Sequence, residues 1–369
     1  MITSIDIHGF KRFEQQSFEL APLTILAGLN GSGKTSFVQA LLLASEASMV
    51  ASGNSVRLNE PFGWELGTAK DVRNWTSDDF IEIRLRSEAC VDAMWRFDSS
   101  SDEALYLSLL QKPDCPPAAF SAAPRAFSYL CAERLGPRSI SRAAPLPAES
   151  LVVGTRGEHC AQILETLGLK PLEDVRRLHP TQPIGTTPLL KYQVELWLGE
   201  VSRPVEIDAV RYSGTAGTAL RFRSAGGDWV GAPNMGFGVS YALPIILGGL
   251  TALPGGIIIV ENPEAHLHPA GQSRMGVFLA WLAGRGVQVI VETHSDHVLN
   301  GIRRAIAEQD DFLNHDAAIV HFFGSGDDGR ASVDCLEFTA VGGISHWPRG
   351  FFDQYQIDVA SLGRIRRRG

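Results

Sequence analysis

The stretch Gly28–Ser36, Gly-Leu-Asn-Gly-Ser-Gly-Lys-Thr-Ser, constrains this chain more than any other. It fits the phosphate-binding pattern G-x-x-x-x-G-K-[ST], with Gly28, Gly33, Lys34 and Thr35 on the fixed positions. Glycines let such a loop curl until consecutive backbone N–H groups face one centre. Those donors and the N-terminus of a following helix attract phosphate oxygens. Lys34 adds a charge for the β- and γ-phosphates, and the Thr35 hydroxyl can ligate Mg²⁺. The flanks agree. Leu23–Ala27 is a short apolar run suited to a buried parallel strand, and Phe37, Leu41 and Leu42 recur at helical spacing through Ser36–Ala47.

Two half-buried strands, Ser4–His8 and Ser17–Leu20, are expected before the loop. Between them, Gly9–Phe13 either flanks a base, with Arg12 stacking or Lys11 reaching phosphate, or is a solvated hairpin turn. Ala51–Trp75 reads as loop. Phe80–Arg86, Ala93–Phe97 and Ala104–Leu110 alternate as strands of an antiparallel lobe on the edge of the main sheet. Lys112–Pro124 is a Pro/Ala-rich linker or surface loop, and Phe127–Cys131 a return strand. Glu158–Leu167 and Leu189–Val201 are expected helices, and Arg221–Arg223 with Trp229–Val230 a hairpin.

Two later segments carry chemistry. Asn234–Ser240 is a glycine-rich turn leading to a helix at Tyr241–Leu250; it is either an anion site or a helix cap. Gly256–Val260 is the strongest buried-strand signal and ends in Glu261-Asn262-Pro263-Glu264-Ala265-His266-Leu267-His268-Pro269. A carboxylate at the C-terminal end of a parallel strand sits where α/β sheets place ligands and could hold Mg²⁺. His266 and His268 read as metal ligands or, with Pro269, as the start of a helix. Val287–Glu292 is a further strand running into Thr293-His294-Ser295-Asp296-His297 and a helix to about Ala307. A Ser–His–Asp hydrolase is a poor reading of that run, because no G-x-S-x-G elbow is present.

The formal net charge of −8 argues against a wholly basic nucleic-acid binder. Arg364, Arg366, Arg367 and Arg368 are the one basic cluster, a solvated end or a phosphate contact. Five scattered cysteines without a C-x-x-C pair point to a reducing compartment, the cytoplasm. The N-terminus does not read as a signal peptide, and Tyr241–Val260 reads as helix, turn and strand instead of a membrane span.

Ile7–Phe13, Pro22-Leu23-Thr24 and Gly28–Thr35 together resemble the ABC-type ATPases of the SMC, RecF and OLD (overcoming lysogenization defect) group. Glu261–Pro269 and Glu292–His297 resemble a narrower set, the prokaryotic AAA/ABC-type ATPases with a C-terminal domain of unknown function, and Gly343–Gln354 looks like that domain. The resemblance is weak over about 50–210. It implies an α/β P-loop NTPase of ABC-ATPase type, a mixed sheet with an antiparallel edge lobe and an inserted helical/β lobe. The expected core is 1–50 with 205–325, the insert 51–204 and the C-terminal segment 326–369.

By the same resemblance, Asn30, Gly31, Ser32, Gly33, Lys34, Thr35 and Ser36 form the Walker A loop. Arg12 flanks the base. Gly238 and Ser240 belong to a degenerate signature that contacts a γ-phosphate held by a second subunit. Glu261 is the Walker B carboxylate that holds Mg²⁺ with Thr35, and His294 is the switch histidine. The implied cofactors are ATP and Mg²⁺, and the implied partner is a second copy in an ATP-sandwich dimer or a larger oligomer. Asn262 stands where the pattern has a Glu. An amide can orient water but cannot take its proton, and losing a general base costs on the order of 10²–10⁴-fold in rate. Slow hydrolysis with Glu264 contributing is therefore expected. The chain has no TOPRIM-type acidic cluster, so the reading is a conformational ATPase in anti-phage defence or DNA maintenance that works with a separately encoded effector such as a nuclease. The rivals are an ATP-controlled DNA clamp and a transport ATPase.

Overall fold

The computed structural model describes residues 1–51, 53–89, 92–182, 188–308, 311–325, 331–353 and 357–362. The arginine cluster at 364–368 and Gln354 of the tail motif lie outside the described residues.

The chain opens with the antiparallel pair β1 (Ile2–Phe10) and β2 (Phe13–Glu19), then β3 (Leu23–Gly28) and helix α1 (Lys34–Met49). Next come β4 (Ser55–Arg57), the single turn α2 (Ala69–Val72), β5 (Phe80–Ser87), β6 (Ala93–Asp98), β7 (Tyr106–Gln111) and β8 (Phe127–Leu130). The short β9 (Ser141–Arg142) precedes helices α3 (Cys160–Leu167) and α4 (Leu190–Val201). Strands β10 (Glu206–Arg211), β11 (Gly217–Arg223) and β12 (Val230–Gly231) lead to α5 (Phe237–Thr251). The remainder is β13 (Ile257–Glu261), α6 (Pro269–Gly284), β14 (Gln288–Glu292), α7 (Asp296–Glu308), β15 (Ala318–Ser325) and β16 (Ala331–Glu337).

The central sheet runs β16-β15-β3-β14-β13-β8. All its pairings are parallel except β15 with β16. Strands β13 and β14 are buried along their whole length, which their unbroken Ile/Val runs require of a sheet covered on both faces. Alternate residues feed two cores. Ile257, Ile259 and Ile290 pack toward α1, whereas Ile258, Val260, Val289 and Val291 pack toward α3–α7.

A second sheet, β2-β1-β5-β6-β7-β4, covers the other side of α1. The antiparallel lobe expected at the main sheet's margin is thus a separate layer that includes β1 and β2, and β16 is the antiparallel edge of the central sheet. Strand β8, from within the expected insert 51–204, is the central sheet's other edge strand. The segment 51–75, read as loop, contributes β4 and α2. Residues 241–260 form most of α5, a turn and most of β13, as the prolines and glycines implied. No helix among the described residues is long and apolar enough to cross a membrane.

A buried arginine closes α5. Arg177 Nη1 reaches the carbonyls of Gly249 and Leu250 at 3.3 Å and also donates to Ala252 O. A cation there satisfies carbonyls that a helix C-terminus leaves without partners.

Candidate functional site

The phosphate loop joins β3 to α1 at the C-terminal edge of the central sheet, where parallel strands place ligands. Its fixed glycines are imposed by close approach. A Cβ on Gly28 would lie 2.2 Å from the Phe323 carbonyl of β15, and one on Gly33 would lie 2.6 Å from Arg12 Cδ. Gly33 also has φ 114 as the N-cap residue of α1. At Gly31 a Cβ would meet nothing within 4 Å, so the mouth of the loop is open. Asn30 and Gly31 are exposed, and Ser32 and Ser36 are half-buried.

Lys34 is almost fully buried, and its ammonium is folded back onto the loop. It donates to Gly28 O at 2.9 Å and Leu29 O at 2.7 Å and stands 4.0 Å from Glu292. Burial lowers its pKa, and the Glu292 charge opposes that. This cation can exchange two carbonyls for phosphate oxygens without moving out of the site. Arg12 donates to Gly31 O and lies over the loop, whereas Lys11 is held by Gln39 of α1 at 2.7 Å. Arg12, Lys11, Gly31, Ser36, Asn74 and Trp75 border a cavity of about 840 Å³ beside the loop.

Three carboxylates converge at the adjoining strand ends. Glu261 and Glu292 are register partners on β13 and β14. Glu261 Oε1 accepts from Tyr129 OH at 3.0 Å, and its Oε2 accepts from Ala132 N–H at 3.0 Å. Burial pushes its pKa up, while those two donors and Arg134 hold it down. Glu292 lies on the strand next to β3 and accepts from the Thr35 hydroxyl at 3.4 Å. Burial, then the Glu261 charge, pushes it up to about 7 against the pull of Lys34 and Thr35. Glu264 is committed elsewhere. It accepts from Thr293 Oγ1 at 2.7 Å and from the His294 N–H at 2.8 Å.

Asn262 has φ 45, and its N–H donates to Glu292 O at 2.9 Å. Asparagine tolerates this left-handed conformation better than most residues, so the backbone alone favours the amide here. Arg134, only 2% exposed, clamps the same strand end. Its Nη1 donates to Cys131 O at 3.1 Å and Glu261 O at 2.7 Å, and its Nη2 donates to Asn262 O at 2.6 Å.

His294 is exposed at the tip following β14. Partial burial first, then the Lys34 charge, lowers its pKa, which keeps the imidazole neutral near pH 7. Ser295 caps α7, accepting from His297 N–H at 3.1 Å and Val298 N–H at 3.2 Å.

The turn at Gly236–Ser240 departs from expectation in one respect. Helix α5 begins at Phe237, not Tyr241, with Gly236 at φ 97 as its N-cap residue, so Ser240 is in the first helical turn and caps nothing. Gly238 packs against the His266 backbone, and the rings of Phe237 and Tyr241 lie 5.1 and 4.4 Å from the His266 ring. His268 Nδ1 accepts from Ala270 N–H at the start of α6. The two histidines therefore have separate packing and capping roles. No group of three or more metal-binding side chains occurs among the described residues.

The Thr35 hydroxyl and the Glu261 and Glu292 carboxylates are oxygen donors of the kind Mg²⁺ takes. With the open loop and buried Lys34, these residues fit a Mg-nucleotide. Sequence reasoning did not single out Glu292, Arg134 or Tyr129. Glu292 had a signal, as a carboxylate ending a buried strand; Arg134 and Tyr129 had none.

Three family models match parts of the chain. "AAA domain" matches residues 4–98, "AAA domain, putative AbiEii toxin, Type IV TA system" residues 173–300, and "Protein of unknown function (DUF3696)" residues 313–362. No curated protein sequence matches. Two solved structures are similar over nearly the whole length. One is a Smc head bound to the C-winged helix domain of ScpA, with TM-score 0.51 and 14% identity, covering 91% of this chain and 97% of that one. The other, from Pyrococcus furiosus, is a Smc head with an extended coiled coil bound to the C-terminal domain of ScpA; its TM-score is 0.52, with 14% identity and 99% of both chains covered.

Proposed function

We propose, for a chain with the ABC-type P-loop fold of the SMC heads, AAA-domain segments and a C-terminal DUF3696 segment, that ATP with Mg²⁺ closes two copies into a head-to-tail dimer. The carrying observation is the convergence at one sheet edge of buried Lys34, the Thr35 hydroxyl and the Glu261–Glu292 carboxylate pair. In this reading Lys34 and the loop N–H groups hold the phosphates, Arg12 bounds the base, and Thr35 with the carboxylate pair forms the site of the cation, which neutralises phosphate charge. The γ-phosphate side is completed from the second copy by Gly238 and Ser240.

Surface composition supports this second half-site. Phe237 at the start of α5 is 52% exposed and Leu29 on the loop is 61% exposed. Large apolar side chains beside an open helix N-terminus suit a surface that another subunit covers. Sizing with and without ATP tests the model. Wild type shifts to a dimer with ATP, and Ser240→Arg stays monomeric while still binding nucleotide. A Ser240→Arg protein that dimerises normally would refute the sandwich.

Hydrolysis in this reading is slow, because Asn262 offers no proton acceptor. Glu264 acts through the backbone and hydroxyl of the switch segment that it holds. Glu264→Gln lowers turnover about 10-fold or more, whereas Asn262→Ala changes it less. Phosphate-release assays that rank the two variants the other way round would assign the water to Asn262. As an ATP switch whose sequence carries no TOPRIM-type acidic cluster, the protein would act on a separately encoded effector such as a nuclease. The toxin–antitoxin description of the matched AAA model supports a role in anti-phage defence or DNA maintenance.

A further inference from the structure

We propose that Glu292, and not Glu261, is the carboxylate through which this site couples nucleotide to its divalent cation, with Glu261 acting as a fixed neighbour. This deepens the ATP reading and rests on it.

Sheet order carries the first part of the argument. Strand β14 lies between β3, which delivers the loop, and β13. Its terminal Glu292 is therefore one strand spacing, about 4.8 Å, nearer the loop than Glu261. Only Glu292 of the two hydrogen-bonds to Thr35, and it is also the carboxylate beside the Lys34 ammonium.

The second part is how each carboxylate is already used. Both oxygens of Glu261 are taken by protein donors, Tyr129 OH on β8 and the Ala132 N–H beyond it. These donors hold Glu261 toward the far edge of the sheet. Among the described residues no backbone N–H donates to the Glu292 carboxylate; its hydrogen-bond donor is the hydroxyl of Thr35, itself a cation ligand in the ATP reading. Two buried carboxylates in register repel each other, and a divalent cation relieves that repulsion. The cation would reach Glu292 and Thr35 on the loop side, and Glu261 would orient the surrounding water.

The test separates metal coupling from nucleotide binding. ATP affinity is measured by calorimetry in Mg²⁺ and in excess chelator for wild type, Glu292→Gln and Glu261→Gln. Wild type binds at least ~10-fold more tightly with Mg²⁺; Glu292→Gln loses that ratio to within about 2-fold, and Glu261→Gln keeps most of it. The paramagnetic signal of Mn²⁺ bound with ADP reports the cation directly, and it weakens in Glu292→Gln only. The proposal is overturned if Glu261→Gln abolishes the ratio and Glu292→Gln preserves it, or if wild type binds ATP with no Mg²⁺ dependence. A wild type that binds no ATP overturns the ATP reading itself. Thermal unfolding checks the fold of each variant. Should Glu292→Gln not fold, Glu292→Asp replaces it, with a reduced ratio expected and an unchanged ratio contradicting the proposal.

Discussion

Lys34→Ala abolishes nucleotide binding, with an expected loss of at least ~100-fold in affinity. The size follows from the geometry. The ammonium is buried with two carbonyls and a carboxylate around it, so bound phosphate would meet it in a water-poor site. Hydrogen bonds to charged groups contribute about 1.5–3 kcal/mol each, and losing two of them corresponds to roughly 100-fold or more. The variant also leaves Glu292 without its neighbouring cation, which drives that carboxylate further toward its protonated form and spares the fold. Calorimetry with ATP, alongside a melting curve, reads both effects. Retained affinity in a folded Lys34→Ala protein would remove the loop from the nucleotide site.

The second large effect is structural, at Arg134. Arg134→Met removes the donors to three carbonyls at the end of β13 and the turn after β8, and a thioether replaces none of them. Orphaned buried acceptors cost about 1–3 kcal/mol each and the three are not additive, so a loss of about 3 kcal/mol is expected. For a chain of this length that lowers the melting temperature by about 4 °C if unfolding is cooperative. Affinity for Mg-ATP falls as well, since Arg134 fixes the backbone that carries Glu261 and the left-handed Asn262. A wild-type melting curve for Arg134→Met would mean that water replaces the guanidinium.

The loop and its strand–helix context were legible because they depend on neighbours in sequence. Leu23–Ala27 is an unbroken apolar run, and Phe37 and Leu41 face inward at helical spacing. The same holds for β13, β14 and the helices that follow them. Helix α5 was placed four residues late, because its first turn, Phe237-Gly238-Val239-Ser240, contains a glycine and an exposed aromatic that resemble a loop. Glu264 read as a contributor to hydrolysis, but its sequence spacing from Glu261 says nothing of Thr293 and His294, which occupy both of its oxygens. The His266–His268 pair read either as ligands or as the start of a helix, and the chain gives one to an aromatic contact and the other to a helix start.

By itself the sequence determined the phosphate loop, the identity of the buried strands and the residues at their tips, since each follows from local pattern and local backbone chemistry. Only the tertiary structure decided which tip stands beside the loop. Placing β14 between β3 and β13 brings Glu292 to Thr35 and leaves Glu261 with Tyr129 and Ala132. The reason is that strand order in a parallel sheet is set by crossover connections and packing across both faces, and no single segment carries that information.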